Sequence, residues 1–348
     1  MATARQPISI VIPAFNQLTY CQQCIASLQA NTQREHRLIL VDNGSTDGVA
    51  EFFDVVPGAV VVHTGKNLGF SGGINRGLEK ASGHVVLLNS DTILPPDWLA
   101  RLEAALLTSE DWGIIGPMTN CAAGPQQING LYFDAEATIY NFAEQRAAAF
   151  GDSVRETNRL IGFCMLIREE ALEKVGTLDE RFEIGNFEDD DYCKRVRAAG
   201  YRLGMAEGSF VFHYGGRTFA GMGLDGERYH EVLEANRVRY EEKWGIKLPT
   251  NVSPQRLAHH LNECAREALA AGNPTEAVRM LRAAVHAAPE EARHYNDLGF
   301  ALWQDGKQEQ ALQCFLAALE QDPTNPDARA NATDAAQALG KTVELPEA

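Results

Sequence analysis

The chain has 348 residues, 45% of them hydrophobic and 22% charged, and 31 basic against 47 acidic side chains leave a net charge of −16. That length predicts two or three domains whose cores need no disulfide or structural metal. The acidic balance excludes nucleic acid or an anionic membrane surface as the main partner.

Met1–Pro7 carries one Arg and no long apolar stretch follows it, so no secretory leader is expected. No run of 18 apolar residues predicts a membrane span. The seven cysteines are therefore expected as reduced thiols of a cytoplasmic protein. Cys21 and Cys24 share a helical pattern with Leu18, Ile25 and Leu28, and no second pair stands at a zinc-site spacing. Both are expected in the core.

Ile8–Ile12 is an apolar run ended by Pro13, a first strand. A helical pattern runs from Thr19 to Ala30, and residues 37–41 form a second strand. Val60–His63 is a third strand, Ser71–Ala81 a helix and Val85–Leu88 a fourth strand. Uninterrupted apolar strands alternating with amphipathic helices predict an α/β fold, a parallel sheet covered on both faces. Its ligand crevice is expected beyond the carboxyl ends of the strands. Three polar clusters stand at those ends: Pro13-Ala14-Phe15-Asn16, Asp42-Asn43-Gly44-Ser45 and Asn89-Ser90-Asp91. Asp-Asn-Gly-Ser is also ordinary turn chemistry, but three such clusters on one edge exceed what turns require. Trp112 to Phe133 lacks charge and is rich in Gly, Pro, Asn and Gln, a loop composition.

Glu188-Asp189-Asp190-Asp191 opens a helix expected to reach Ala199. Acids are favourable there whatever the chemistry. Asp190 stands four before Lys194 and Asp191 four before Arg195, a spacing that predicts solvent-face ion pairs. Asp189 stands four before Cys193 and seven before Val196, which predicts an inward direction. Tyr214–Gly223 is a Gly-rich loop carrying Arg217, suited to closing on an anionic ligand.

From Ser253 the composition turns to Ala, Glu, Gln and Leu, and Gly272, Gly306 and Gly340 recur every 34 residues. Tyr295, Leu298, Gly299, Leu302, Ala311, Phe315, Ala318 and Pro323 fit the tetratricopeptide pattern. The expected domains are 1–252 and 253–342, the second holding two repeats and a capping helix.

The first domain resembles glycosyltransferase family 2, with its GT-A fold, and within it the rhamnosyltransferase-like subgroup that builds bacterial surface glycans. The resemblance covers about 70% of the chain and rests on Ser9–Asn16, Leu40–Gly48, Asn67–Asn75, Leu88–Thr92, Phe187–Asp191 and Phe212-His213. It implies an inverting, metal-dependent hexosyltransferase that moves a sugar such as rhamnose from a UDP- or dTDP-linked donor to a hydroxyl. The acceptor would be a glycan or a protein such as flagellin, the latter held by the repeats.

The resemblance implies a nucleotide-sugar site at Pro13, Ala14, Phe15, Asn16, Asp42, Asn43, Asn67, Gly69, Phe70, Gly73, Asn75, Asn89, Ser90, Asp91 and Arg217. The Asp42 carboxylate can accept the imide N–H of uracil or thymine. The Gly-rich 67–75 segment lets backbone N–H groups approach a phosphate or ribose. Asn89-Ser90-Asp91 falls on the family's Asp-x-Asp metal motif, with Asn89 in place of the first acid. The resemblance makes Asp91 and His213 ligands of Mn²⁺ or Mg²⁺, Asp189 the general base and Glu188 its neighbour. Asn89 leaves a second reading open, a tetratricopeptide scaffold with a degenerate transferase domain.

Overall fold

The computed structural model describes residues 7–122, 124–128, 131, 133, 135–215, 226–248, 254–341, 343, 345 and 346. They fall into two compact units, Met1–Leu224 with Glu231–Ile246, and Asp225–His230 with Lys247–Ala348.

The first unit begins with β1 (Ile8–Ala14), α1 (Leu18–Asn31), β2 (Arg37–Asp42), α2 (Val49–Asp54), β3 (Val60–His63), α3 (Gly69–Leu78) and β4 (His84–Leu88). It continues with β5 (Thr92–Ile93), α4 (Trp98–Leu107), β6 (Trp112–Met118), α5 (Glu136–Phe150), β7 (Val154–Thr157), β8 (Cys164–Ile167) and α6 (Glu169–Val175). After α7 (Glu188–Ala198), β9 (Arg202–Phe210) and β10 (Phe212–His213) comes α8 (Gly226–Trp244), most of which packs in this unit.

The main sheet runs β3-β2-β1-β4-β8-β6-β9-β7. The first four strands are parallel, as the sequence predicts. The rest correct that expectation, because β8 lies antiparallel to both β4 and β6, and β7 antiparallel to β9. Cys164–Ile167 is apolar at every position and buried on both faces; such a run carries no sign of direction. A second correction is β6, a wholly buried strand in the stretch that composition assigns to a loop. Its glycines are close-packing positions: a Cβ on Gly113 would lie 2.6 Å from Tyr201, and one on Gly116 2.5 Å from Gln126.

Alternation along β1 builds two cores. Ile8, Ile10 and Ile12 face α1, α2 and α4, with Cys21, Cys24, Leu28, Phe53 and Trp98. Val11 faces the other layer, with Ile74, Cys193 and Val196. Each fully buried aliphatic side chain contributes about 1.5–3 kcal/mol. Burial pushes the thiols of Cys21 and Cys24 up to about 12, so both behave as small apolar groups. A small second sheet pairs β10 antiparallel with β5, His213 opposite Thr92. This unit is a mixed α/β domain.

The second unit holds α9 (Pro254–Ala270), α10 (Pro274–Ala287), α11 (Ala292–Gln304), α12 (Gln308–Gln321) and α13 (Pro326–Ala338), packed as helix pairs. Ala277, Leu281, Ala284, Ala311, Phe315 and Ala318 are buried. Gly299 lets the Phe315 ring approach so closely that a Cβ would meet it at 2.5 Å. Gly272, Gly306 and Gly340 follow the first helix of each repeat at φ +73°, +75° and +64°, the left-handed stop that favours glycine. No helix among the described residues is long and apolar enough to cross a membrane.

Candidate active site

The carboxyl ends of β1 and β2 are joined by side chains. Asn16, at φ +56°, donates its N–H to Ser45 Oγ at 2.9 Å, and its Oδ1 accepts from Thr46 N at 2.8 Å. Pro13 and Ala14 are buried below; Phe15 and Asn16 are partly exposed. Asp42 Oδ1 accepts from Ser45 N at 2.8 Å, which closes the turn. Asp42 Oδ2 lies 3.2 Å from His63 Nδ1, and His63 Nε2 lies 3.0 Å from Asp54 Oδ1. The Asp42 and Asp54 carboxylates hold His63 above the ordinary histidine pKa.

Asn43 is buried and shapes the next loop. Its Nδ2 donates to Asn67 Oδ1 (3.1 Å) and Gly69 O (2.9 Å), and its Oδ1 accepts from Leu68 N (3.0 Å). Gly69 sits at φ +76°, where a Cβ would fall 1.8 Å from Glu183 O. Gly73 packs on Asn43 and Pro13, and Phe70 is partly exposed. Asn75 is placed differently. It is buried and tied to Leu178 by both its amide atoms, and to Glu180, so its side chain anchors α3 to the 178–180 segment.

A second cluster forms where β10 meets β5. His213 Nε2 lies 3.3 Å from Asp91 Oδ1 and accepts a long bond, 3.5 Å, from Asn89 Nδ2. His213 Nδ1 donates to Cys121 O at 2.9 Å. Asn120 brackets the backbone of His213 through both N–H (2.9 Å) and C=O (3.1 Å). Ser90, Asp91 and His213 are buried. Burial works against a charged His213 ring, but the Asp91 carboxylate and the Cys121 carbonyl outweigh it, and the group titrates above an ordinary histidine.

The donor set fits a hard divalent cation in three respects. Asp91 offers a carboxylate. His213, with Nδ1–H on a carbonyl, presents Nε2 in the way that orients a metal-bound imidazole. Asn89 Oδ1 is buried and has no hydrogen-bond partner among the described residues, a cost that a cation would relieve. No group of three His, Cys, Asp or Glu converges among the described residues, so a cation here would need Asn89 as a third donor and the phosphates of a nucleotide for others.

The acids of α7 stand nearby. Asp189 is partly exposed; its Oδ2 accepts from Gly162 N at 2.9 Å and its Oδ1 from Asp190 N at 2.8 Å. Glu188 is buried, and burial together with the Asp189 charge raises its pKa well above the usual range. Burial and Asp189 push Asp190 up to about 6 against the pull of Arg159. For the other two acids the spacing gives the Asp191–Arg195 pair but not its face, and it fails for Asp190 and Lys194. Asp191 is fully buried, bonded to Arg195 Nε (2.8 Å), Lys243 Nζ (2.6 Å) and Trp244 Nε1 (3.0 Å). Asp190 pairs with Arg159, while Lys194 lies over the Trp244 ring. The cause is α8, which covers the face that helix spacing assigns to solvent.

Gly162 and Phe163 connect the two clusters. Gly162 N bonds Asp189, the next carbonyl, Phe163 O, accepts from Asn89 N at 2.8 Å, and the Phe163 ring stacks on His213. Sequence reasoning missed these two residues, and also Asn120 and Arg159. The apolar run from Phe163 to Ile167 was the available signal. Arg217 lies outside the described residues.

Residues 9–176 match the family Glycosyl transferase family 2, and residues 264–326 match Tetratricopeptide repeat. The uncharacterized protein y4gI of Sinorhizobium fredii is 24% identical over 250 residues, 68% of this chain but only 26% of that protein. N-acetylglucosaminyl-diphospho-decaprenol L-rhamnosyltransferase of Mycobacterium tuberculosis is 23% identical over 239 residues, 60% of this chain and 76% of that enzyme. Among solved structures, the mannosyltransferase PcManGT from Pyrobaculum calidifontis, in complex with GDP-Man and Mn²⁺, is 17% identical at a TM-score of 0.46, covering 97% of this chain and 81% of that one. The chain thus carries a glycosyltransferase family 2 domain, continued by tetratricopeptide repeats.

Proposed function

We propose that this chain is an inverting glycosyltransferase acting on a nucleoside-diphosphate sugar. The observation that carries the reading is the bridge of two consecutive residues, Gly162 and Phe163, between Asp189 and the Asn89–His213 cluster. On this reading a base for the acceptor and a place for the diphosphate would lie side by side, as a single displacement requires.

In that reaction Asp189 takes the proton of the acceptor hydroxyl. The freed oxygen attacks the anomeric carbon from the face opposite the diphosphate, and the bond from that carbon to the diphosphate oxygen breaks. Asp189 already accepts two backbone N–H bonds and keeps lone pairs for a third. Burial and the Asp189 charge raise the Glu188 pKa well above the usual carboxylate range, which disfavours a second charge beside the base. Asp91, His213 and Asn89 would hold the cation, and an imidazole ligand favours Mn²⁺ over Mg²⁺. When bound, the cation neutralises charge on the departing diphosphate. Asp42 would accept the imide N–H of uracil or thymine, so the donor is UDP- or dTDP-linked. The rhamnosyltransferase relative supports a deoxyhexose such as rhamnose. The acceptor is a surface glycan or a protein such as flagellin, the repeats holding the latter, and the reaction takes place in the cytoplasm.

Hydrolysis and transfer assays across UDP- and dTDP-sugars with added Mn²⁺ test this reading. Turnover that needs Mn²⁺ supports it. No turnover with any donor, combined with tight binding of a protein partner, returns the scaffold reading.

A further inference from the structure

The segment 226–248 gives no functional signal in the sequence, yet α8 reaches the backbone that delivers the acids of α7. Asn236 is fully buried, and its Nδ2 donates to Phe182 O and to Gly185 O, each at 2.7 Å. Those carbonyls belong to a turn in which Glu183, Asn186 and Phe187 hold left-handed φ of +44°, +74° and +71°. Such a backbone persists only where its surroundings over-determine it. From α3, Phe70 N donates to Glu183 O at 3.1 Å. Lys243 Nζ lies 2.6 Å from Asp191 Oδ1 and 2.6 Å from Asp179 Oδ2, and Trp244 Nε1 donates to Asp191 Oδ1 at 3.0 Å. The Tyr240 ring lies 5.5 Å from that of Phe187. The helix α7 has no side-chain cap of its own, since Phe187 occupies that position.

The geometry points to Asn236 and Lys243 as positioning residues for Asp189, acting through the turn 182–187 and the first turn of α7. The inference rests on the reading of Asp189 as the base. Asn236 fixes the backbone that enters α7. Lys243, with Trp244, fixes Asp191, and the carboxylate two residues earlier moves with the same helical turn. Neither residue need touch substrate. A base misplaced by about 1 Å can cost roughly 10²-fold in rate, so a strap that holds the turn acts on the chemical step and leaves donor binding alone.

The test uses the full chain. Asn236→Leu removes both donors at similar volume; Lys243→Met removes the charge and Lys243→Arg restores it. Hydrogen exchange in a peptide spanning 182–192 should quicken about tenfold or more in Asn236→Leu and Lys243→Met, with β1 to β4 unchanged. The kcat for transfer should fall about 10- to 100-fold with donor Kd within about twofold, and Lys243→Arg should recover most of both. A merely structural role would lower Tm and the active fraction without splitting kcat from donor binding. Unchanged exchange at 182–192, or unchanged kcat per folded molecule, overturns the inference. If Asn236→Leu does not fold, the Lys243 pair decides. A wild-type chain that transfers nothing removes the base reading instead, and the exchange data still decide whether α8 holds this turn.

Discussion

The rings of Phe163 and His213 lie stacked, centroids 5.0 Å apart and 19° from parallel. With Nδ1 of the same imidazole on the Cys121 carbonyl, the ring has one orientation, and Nε2 can face only Asp91 and Asn89. A side chain fixed by packing on one face and a backbone acceptor on one edge is a prepared ligand.

Asp91→Ala and His213→Ala should each weaken Mn²⁺-dependent UDP binding. Asn120→Ala, which frees the backbone of His213, should weaken it about 10- to 100-fold. Titration calorimetry with UDP at fixed Mn²⁺ measures all three. Wild-type affinity in both direct variants would remove the cation from this place.

Asp189→Asn keeps size but cannot take a proton at neutral pH, and its single amide oxygen can accept only one of the two backbone N–H bonds. It should bind donor as wild type does and lose transfer by about 10²- to 10⁴-fold. Near-normal transfer in that variant, with loss in Glu188→Gln, would move the base by one residue.

The acids of α7 also separate by stability. Asp191 is sealed among Arg195, Lys243 and Trp244. Asp191→Asn removes one partner of a buried ion cluster and should cost about 3 kcal/mol or more, seen as a lower denaturant midpoint.

Asp190 should show the opposite sign. Its pKa rises from the ordinary 3.8 to about 6, so the folded state binds the proton more tightly than the unfolded state. Its penalty is absent below the unfolded value, grows as pH rises towards 6, and is complete above it. Asp190→Asn should therefore raise Tm at pH 7 and leave it nearly unchanged at about pH 3, below the unfolded value, since the Arg159 it releases is substantially exposed. Thermal melts at the two pH values check this. An equal shift at both would show that burial of this acid is not what matters.

A chain cut near Ser253 should leave a folded 1–252 domain that still binds nucleotide, because each repeat mainly contacts its neighbours. Circular dichroism and UDP binding on that fragment test the boundary. An unfolded fragment would make the repeats part of the catalytic core.

The sequence made legible whatever depended on local pattern. The strands β1 to β4 read as apolar runs, and the repeats as a period of 34, because neighbours in sequence are neighbours in space. The antiparallel β8 was illegible, since direction is set by how the chain arrives. Gly113 and Gly116 misled because a missing Cβ marks a turn or a tight packing contact equally well. The α7 faces were misread for a related reason: helical spacing assigns faces, but what covers a face comes from residues 236–244, some forty positions on. Of the candidate site, the residue types at strand ends were readable; the Gly162–Phe163 bridge that relates them was not.

The glycines at 272, 306 and 340 share a left-handed φ, +73°, +75° and +64°. A 34-residue block bounded by two consecutive ones begins and ends at nearly the same φ. A block duplicated or excised between such glycines would keep the same φ at each join, and buried alanines recur at 277 and 311 and at 284 and 318, one repeat apart. Whole repeats are thus the natural unit in which the length of this region would change.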